Sequence, residues 1–118
     1  PEIAMVGITA DEAKAQGRAV ITGKYVMSGN GKSIIENEDR GFIKLVFDAE
    51  TEKLIGAQLM CGRATDMIGE MVTAVSAGLT KSQLAMALHP HPTFCEGITE
   101  AVHAADGHSI HTMPPRRR

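Results

Sequence analysis

Residues 88–97 read LHPHPTFCEG. Two histidines, two prolines, a cysteine and a glutamate crowd together here, and how they are read decides both fold and function. As local structure the stretch is a helix start. Thr93-Phe-Cys-Glu96 has the spacing of a capping box, in which the hydroxyl accepts from a first-turn amide and the glutamate reaches back. On that reading Glu96 is only a cap and His91 a loop residue. As a metal site the stretch offers His89 and His91 as an H-x-H pair, with Cys95 or Cys61 as sulfur donors. Zinc takes three or four ligands in a tetrahedron, and no fourth ligand stands at a familiar spacing. As a catalytic site it uses the geometry of the helix start itself. Helical side chains tilt toward the N-terminus, so Glu96 leans back toward residues 91–93. Its carboxylate can then accept a hydrogen bond from one nitrogen of His91, fix the tautomer, and leave the other nitrogen as a base. Prolines on both sides restrain His91, and His91–Pro92 is a candidate cis peptide because cis bonds occur at X–Pro.

Outward from this stretch, the pattern is strands first and helices later. Residues 2–8 make an apolar run, read as a buried strand. Thr9-Ala-Asp-Glu12 is a capping box before a helix over 10–16, stopped by Gly17. Residues 19–27 read as a strand. Asn30-Gly31 is a strong hairpin dipeptide, so 33–36 is expected to pair back. A polar turn over 37–41 leads to strands at 42–48 and 54–60, a second hairpin. Then the period changes. Met67, Ile68, Met71, Val72, Val75 and Leu79 recur at helical spacing, with Thr65 or Asp66 as N-cap and Gly78 as stop. Two more helices are expected, over 81–87 after Thr80 and from Thr93 to about Ala105. Grouped strands and grouped helices predict an α+β fold, an antiparallel β-sheet with helices packed against it. The methionines at 60, 67, 71 and 86 are read as core gap-fillers rather than a recognition surface.

The chain has 118 residues, 43% of them hydrophobic, which fits a single domain spanning 1–118. A net charge of −2 and a pI near 6.2 give no bulk argument for nucleic acid or anionic membranes. Arg116–Arg118 form the one basic run, read as a solvated tail. No apolar run reaches membrane-spanning length, no signal-peptide pattern is visible, and the two cysteines form no C-x-x-C pair. A cytoplasmic protein is expected. No Gly-rich phosphate-binding loop and no G-x-S-x-G elbow is present, so chemistry rests on the opening stretch. Pro1 opens the chain inside a strand with no initiator Met, which suggests a piece of something longer.

HPTFCE resembles the H-P-T-x-[S/T/H]-E signature of the flavin-dependent pyridine nucleotide–disulfide oxidoreductases. PEIAMVGIT resembles the opening of their C-terminal interface, or dimerisation, domain, and EAKAQG, LIGAQLMCG and IGEMVTAVSAG match later landmarks. The likeness runs over essentially the whole chain. LHPHPTFCEG followed by HAADGHSIHTMPP is most similar to the dihydrolipoamide dehydrogenases, with glutathione reductase as runner-up. The resemblance implies that FAD and NAD domains are absent from this chain and that the fragment alone has no turnover. It implies a homodimer in which His91 reaches into the partner's active site as acid/base and Glu96 orients it. It implies that the main chain of His91 and Pro92, the latter the cis proline of the motif, lies near the partner's flavin. It also implies docking to the subunit-binding domain of a 2-oxo acid dehydrogenase acyltransferase. The apolar helix face 64–79 is our candidate for part of the dimer contact. Cys95 stands where Ser, Thr or His is common, Ala10 where Glu is, and Gly97 where Ala or Ser is. No metal is expected, and His103, His108 and His111 are read as surface or capping groups. A purely structural association module is the rival reading.

Overall fold

The computed structural model describes residues 1–106. Among these, strands β1 (Glu2–Gly7), β2 (Val20–Val26), β3 (Phe42–Asp48) and β4 (Leu54–Cys61) form one sheet. Its order is β1-β4-β3-β2, and every neighbouring pair is antiparallel. The helices are α1 (Ala10–Ala15), α2 (Gly31–Ile35), α3 (Ala64–Ala77), α4 (Lys81–Ala85) and α5 (Glu96–Ala105). Helix α3 packs on β1 and β4, and α5 packs on β2 and β3. The α+β architecture read from the sequence is the one observed. His108, His111 and Arg116–Arg118 lie outside the described residues.

The core sits between the sheet and these two helices. Tyr25, Ile43, Leu45, Phe47 and Leu59 supply the sheet side, and Met67, Met71, Ile98 and Val102 supply the helix side. Each large apolar side chain so buried stabilises the fold by about 1.5–3 kcal/mol. Met67 and Met71 therefore fill the core as expected, whereas Met86 is 81% exposed. The apolar stripe of α3 also turns onto the sheet, leaving Val72 as its large solvent-facing apolar residue among the described ones.

Capping follows the sequence at three helix ends. Thr9 and Glu12 form both halves of a capping box at α1, and Thr80 and Gln83 do so at α4. Gly78, at φ 65°, ends α3. Elsewhere the structure corrects the reading. Residues 33–36 are not a strand. Asn30 has an extended backbone, φ −84°, unsuited to a primed hairpin turn, and its side chain caps α2 by accepting from the Ser33 N–H at 2.9 Å. Strand β1 is an edge strand rather than a buried one, with Ile3 and Met5 exposed. Helix α3 starts at Ala64, before the expected cap. Its first-turn Thr65 donates from both its N–H and its hydroxyl to the carboxylate of Glu2 on β1, so an anion from another element does the capping.

Two glycines set the height of α5 above the sheet. A methyl group at Gly23 on β2 would lie 2.0 Å from the Ala101 carbonyl oxygen. At Gly97, in the first turn of α5, it would lie 2.9 Å from both Ile43 Cδ1 and Met27 Sδ. Gly97 weakens a helix turn intrinsically, but it is what allows this turn to press onto β3.

Candidate active site

The site is the loop between α4 and α5 together with the first turns of α5. Its backbone is not the simple capped start expected. After Thr93 the chain makes a turn at Phe94 and Cys95, and α5 begins at Glu96. Only half of the capping box forms. The Glu96 carboxylate accepts from the Thr93 N–H at 3.0 Å, while the Thr93 hydroxyl donates backward to the Pro90 carbonyl at 2.7 Å. The hydroxyl thus tightens the loop that carries His91 instead of capping the helix. The His91–Pro92 peptide bond is cis, as the sequence suggested.

His91 and Glu96 come together. His91 Nδ1 lies 2.9 Å from Glu96 Oε1 and 3.1 Å from Oε2. A carboxylate only accepts, so Nδ1 carries the proton and Nε2 is the basic nitrogen of the neutral ring. Nε2 has no partner among the described residues, and the His91 side chain is 76% exposed. Burial pushes the Glu96 carboxyl up, but the Thr93 N–H and then the His91 contact outweigh it, and Glu96 lies below the usual carboxylate range. Glu96 is therefore ionised and accepts from the Nδ1–H of the ring. A shallow cleft beside the pair is lined by Tyr25, Asn30, Gly31, His91, Glu96 and Glu100. Burial first, then the charges of Glu100 and Glu96, push the Tyr25 phenol up to about 12, so Tyr25 stays protonated there.

His89 does not join His91. Its ring is turned away and held between two helices. Nε2 lies 2.8 Å from Glu70 Oε1 on α3, and Nδ1 lies 2.6 Å from Thr99 Oγ1 on α5. Both ring nitrogens are thereby engaged, and among the described residues no three His, Cys, Asp or Glu side chains are placed to hold a metal ion. Cys95 is half-buried and Cys61 fully buried. Burial raises both thiols, Cys61 to about 11, which disfavours the reactive thiolate. His103 lies in the last turn of α5.

The sequence missed three supports of this site. Asn30 donates from its side-chain amide to the Thr93 carbonyl at 3.0 Å, while its oxygen accepts from Ser33. Glu70 and Thr99 hold His89. The Asn-Gly dipeptide signalled a polar turn but not its tertiary partner. Glu70 and Thr99 stand at half-buried positions of two different helices and carry no local signal.

No helix of the described residues is long and apolar enough to cross a membrane. The model of the pyridine nucleotide-disulphide oxidoreductase dimerisation domain matches residues 1–102. A dihydrolipoyl dehydrogenase of Bacillus subtilis is 42% identical over 111 residues, which are 94% of this chain and 23% of that protein. One from Halobacterium salinarum is 36% identical over 113 residues, 96% of this chain and 24% of that protein. Among solved structures, LpdA from Mycobacterium tuberculosis superposes with a TM-score of 0.82 at 28% identity, over 87% of this chain and 22% of LpdA. The chain therefore spans about a quarter of the length of the curated relatives it matches. On the match over residues 1–102 and on these identities, the chain belongs to the dimerisation-domain family of the pyridine nucleotide–disulphide oxidoreductases.

Proposed function

We propose that this chain is the C-terminal dimerisation domain of a dihydrolipoamide dehydrogenase and that it supplies His91 and Glu96 to the active site of a partner subunit. The observation that carries the reading is an exposed imidazole whose Nδ1 is fixed by a half-buried carboxylate at 2.9 Å. Such an arrangement is half of an acid/base device. Nε2 can take a proton from a thiol of the substrate and return it, while Glu96 stabilises the imidazolium formed in between. The chain has no redox cysteine pair of its own, since both thiols are buried or half-buried and raised.

The parent enzyme would pass electrons from dihydrolipoamide through a disulfide and FAD to NAD⁺. This chain has no Gly-rich nucleotide loop, so other domains would hold both nucleotides. FAD, when bound, supplies the two-electron acceptor beside the disulfide. The residues here that fit a place next to the flavin are His91 and Pro92, both exposed at the tip of the loop. Their role is to present a proton carrier there and to exclude water. The reading also includes homodimerisation, a cytoplasmic location and docking of an acyltransferase's subunit-binding domain. The identities of 36–42% to dihydrolipoyl dehydrogenases support this choice over glutathione reductase.

Subunit complementation tests the proposal. In the full-length polypeptide, one variant carries His91→Gln and a second has its redox cysteines replaced. Each alone should have little or no turnover with dihydrolipoamide and NAD⁺. Dissociated and reassociated together, they should recover turnover, because one hybrid site then has an intact disulfide from one subunit and His91 from the other. No recovery would refute a histidine acting across the interface.

A further inference from the structure

The loop carrying His91 has a second imidazole two residues earlier, and the reading above does not use it. His91 is exposed, and so are Met86, Leu88, Pro90 and Pro92 around it. His89 is the opposite, its side chain only 10% exposed. A buried histidine with both nitrogens bonded, set in an otherwise exposed stretch, works as an anchor. Its bonds run to two different helices, Glu70 on α3 at 2.8 Å and Thr99 on α5 at 2.6 Å. The loop is thereby pinned to both halves of the helical layer.

The second relationship is one of register. His89 bonds Thr99, and His91 bonds Glu96. Residues 96 and 99 are neighbours on one face of α5, about 4.5 Å apart along its axis. Residues 89 and 91 of an extended segment span about 7 Å. Two imidazoles thus meet two successive side chains of a single helix face, with Pro90 stiffening the link between them. One contact alone would let the loop pivot. Two contacts fix both the position and the rotation of the segment, and Pro90 also receives the Thr93 hydroxyl.

We propose that His89 is a positioning residue for His91: the Glu70–His89–Thr99 clamp sets the loop so that His91 Nδ1, and not Nε2, faces Glu96. The inference rests on the function proposed for His91 and Glu96. Glu70 on α3 and Thr99, Glu96 and Glu100 on α5 are the charged and polar groups around His89. The Glu70 hydrogen bond raises the His89 pKa against an opposing contribution from burial, and the charges of Glu70 and Glu96 add to the rise. The Thr99 hydroxyl suits either protonation state. It donates to Nδ1 of the neutral ring and accepts from Nδ1–H of the imidazolium. The clamp therefore survives titration of His89, as a positioning device must.

Nitrogen-15 NMR of the histidine rings in the 118-residue chain reads the tautomer of His91 directly. The unmodified chain should show His91 mainly as the Nδ1–H form. Thr99→Val, nearly isosteric, and His89→Gln should both shift His91 toward the Nε2–H form, while amide spectra report a retained fold. Thr99→Ser, which keeps the hydroxyl, should restore the Nδ1–H form. Folded variants whose His91 keeps its Nδ1–H dominance would overturn the positioning role and leave the His91–Glu96 pair standing. An unmodified chain in which His91 is chiefly Nε2–H would overturn that pair, and with it the clamp's purpose.

Discussion

The side-chain amide of Asn30 donates to the main-chain carbonyl of Thr93 at 3.0 Å, across 63 residues of sequence. The same side chain caps α2 through its oxygen. One buried residue therefore ties the start of α2 to the loop that holds His91. Asn30→Ala should remove the cap and orphan the Thr93 carbonyl, destabilising the chain by about 2–3 kcal/mol from the two effects together. Asn30→Asp keeps the cap acceptor but sets a buried carboxylate oxygen against the Thr93 carbonyl, so urea denaturation should show a loss at least as large as that of Asn30→Ala.

On the acid/base role proposed for His91, the loss of such a group sets the scale. In the full-length polypeptide, His91→Gln should lower turnover by about 10²–10⁴-fold with flavin content unchanged. Glu96→Gln should cost less, because the ring remains and the amide oxygen still accepts from Nδ1–H. Steady-state rates for the two variants that match each other and the parent would remove the pair from the mechanism.

The His89 pKa, raised above its ordinary value near 6.5 chiefly by Glu70, makes a stability statement with a definite sign. The folded chain holds this proton more tightly than the unfolded chain, so the contribution is fully present below about pH 6.5 and is lost as pH rises through the higher folded value. Unfolding free energy measured from pH 6 to 8 should fall less steeply in His89→Gln than in the unmodified chain. An unchanged slope would mean that His89 titrates alike in both states.

Lys81 is a buried cation, with Asp106 at 2.5 Å and Glu52 at 3.6 Å, and it joins α4 to the end of α5 and to the β3–β4 turn. The two acids remain partly exposed and can rehydrate, whereas Lys81 cannot. Removing the acid should therefore hurt more than removing the base. Asp106→Asn is expected to cost about 2–3 kcal/mol and Lys81→Met about 1 kcal/mol or less. The reverse order in thermal unfolding would contradict this account.

Glycine substitutions should act with opposite signs at two sites. At Gly69 on α3 a methyl group meets nothing within 4 Å, so Gly69→Ala should stabilise by about 0.5–1 kcal/mol. At Gly23 the methyl meets the main chain of α5, which cannot yield as a side chain would, and Gly23→Ala should destabilise by about 1–3 kcal/mol or more. Melting temperatures of the two variants, compared directly, check both.

Much of this was legible where the determinants are local. Thr9 and Thr80 announced their helices because a hydroxyl and an acid or amide three residues on suffice to cap a turn. The His91–Glu96 pair was legible for a similar reason, since first-turn tilt brings the two together even though α5 starts later than expected. Asn30 was misread because Asn-Gly serves both a primed turn and a helix cap, and a bond to Thr93 decides between them. Glu2 was invisible as a cap because the helix it serves begins more than 60 residues away. His89 drew notice as half of an H-x-H pair, but its partners Glu70 and Thr99 come from packing α3 and α5 side by side, which no spacing encodes.

The helix that carries Glu96 rests on Gly23 and Gly97, two positions that bring no side chain of their own to the contact. A survey that ranks positions by the chemistry they bear would pass over both. Yet a single carbon added at Gly23 would strike the α5 main chain, and one at Gly97 would crowd the Ile43 and Met27 side chains beneath the turn that carries Glu96. The contact between His91 and Glu96 depends as much on missing atoms beneath α5 as on the two side chains that make it.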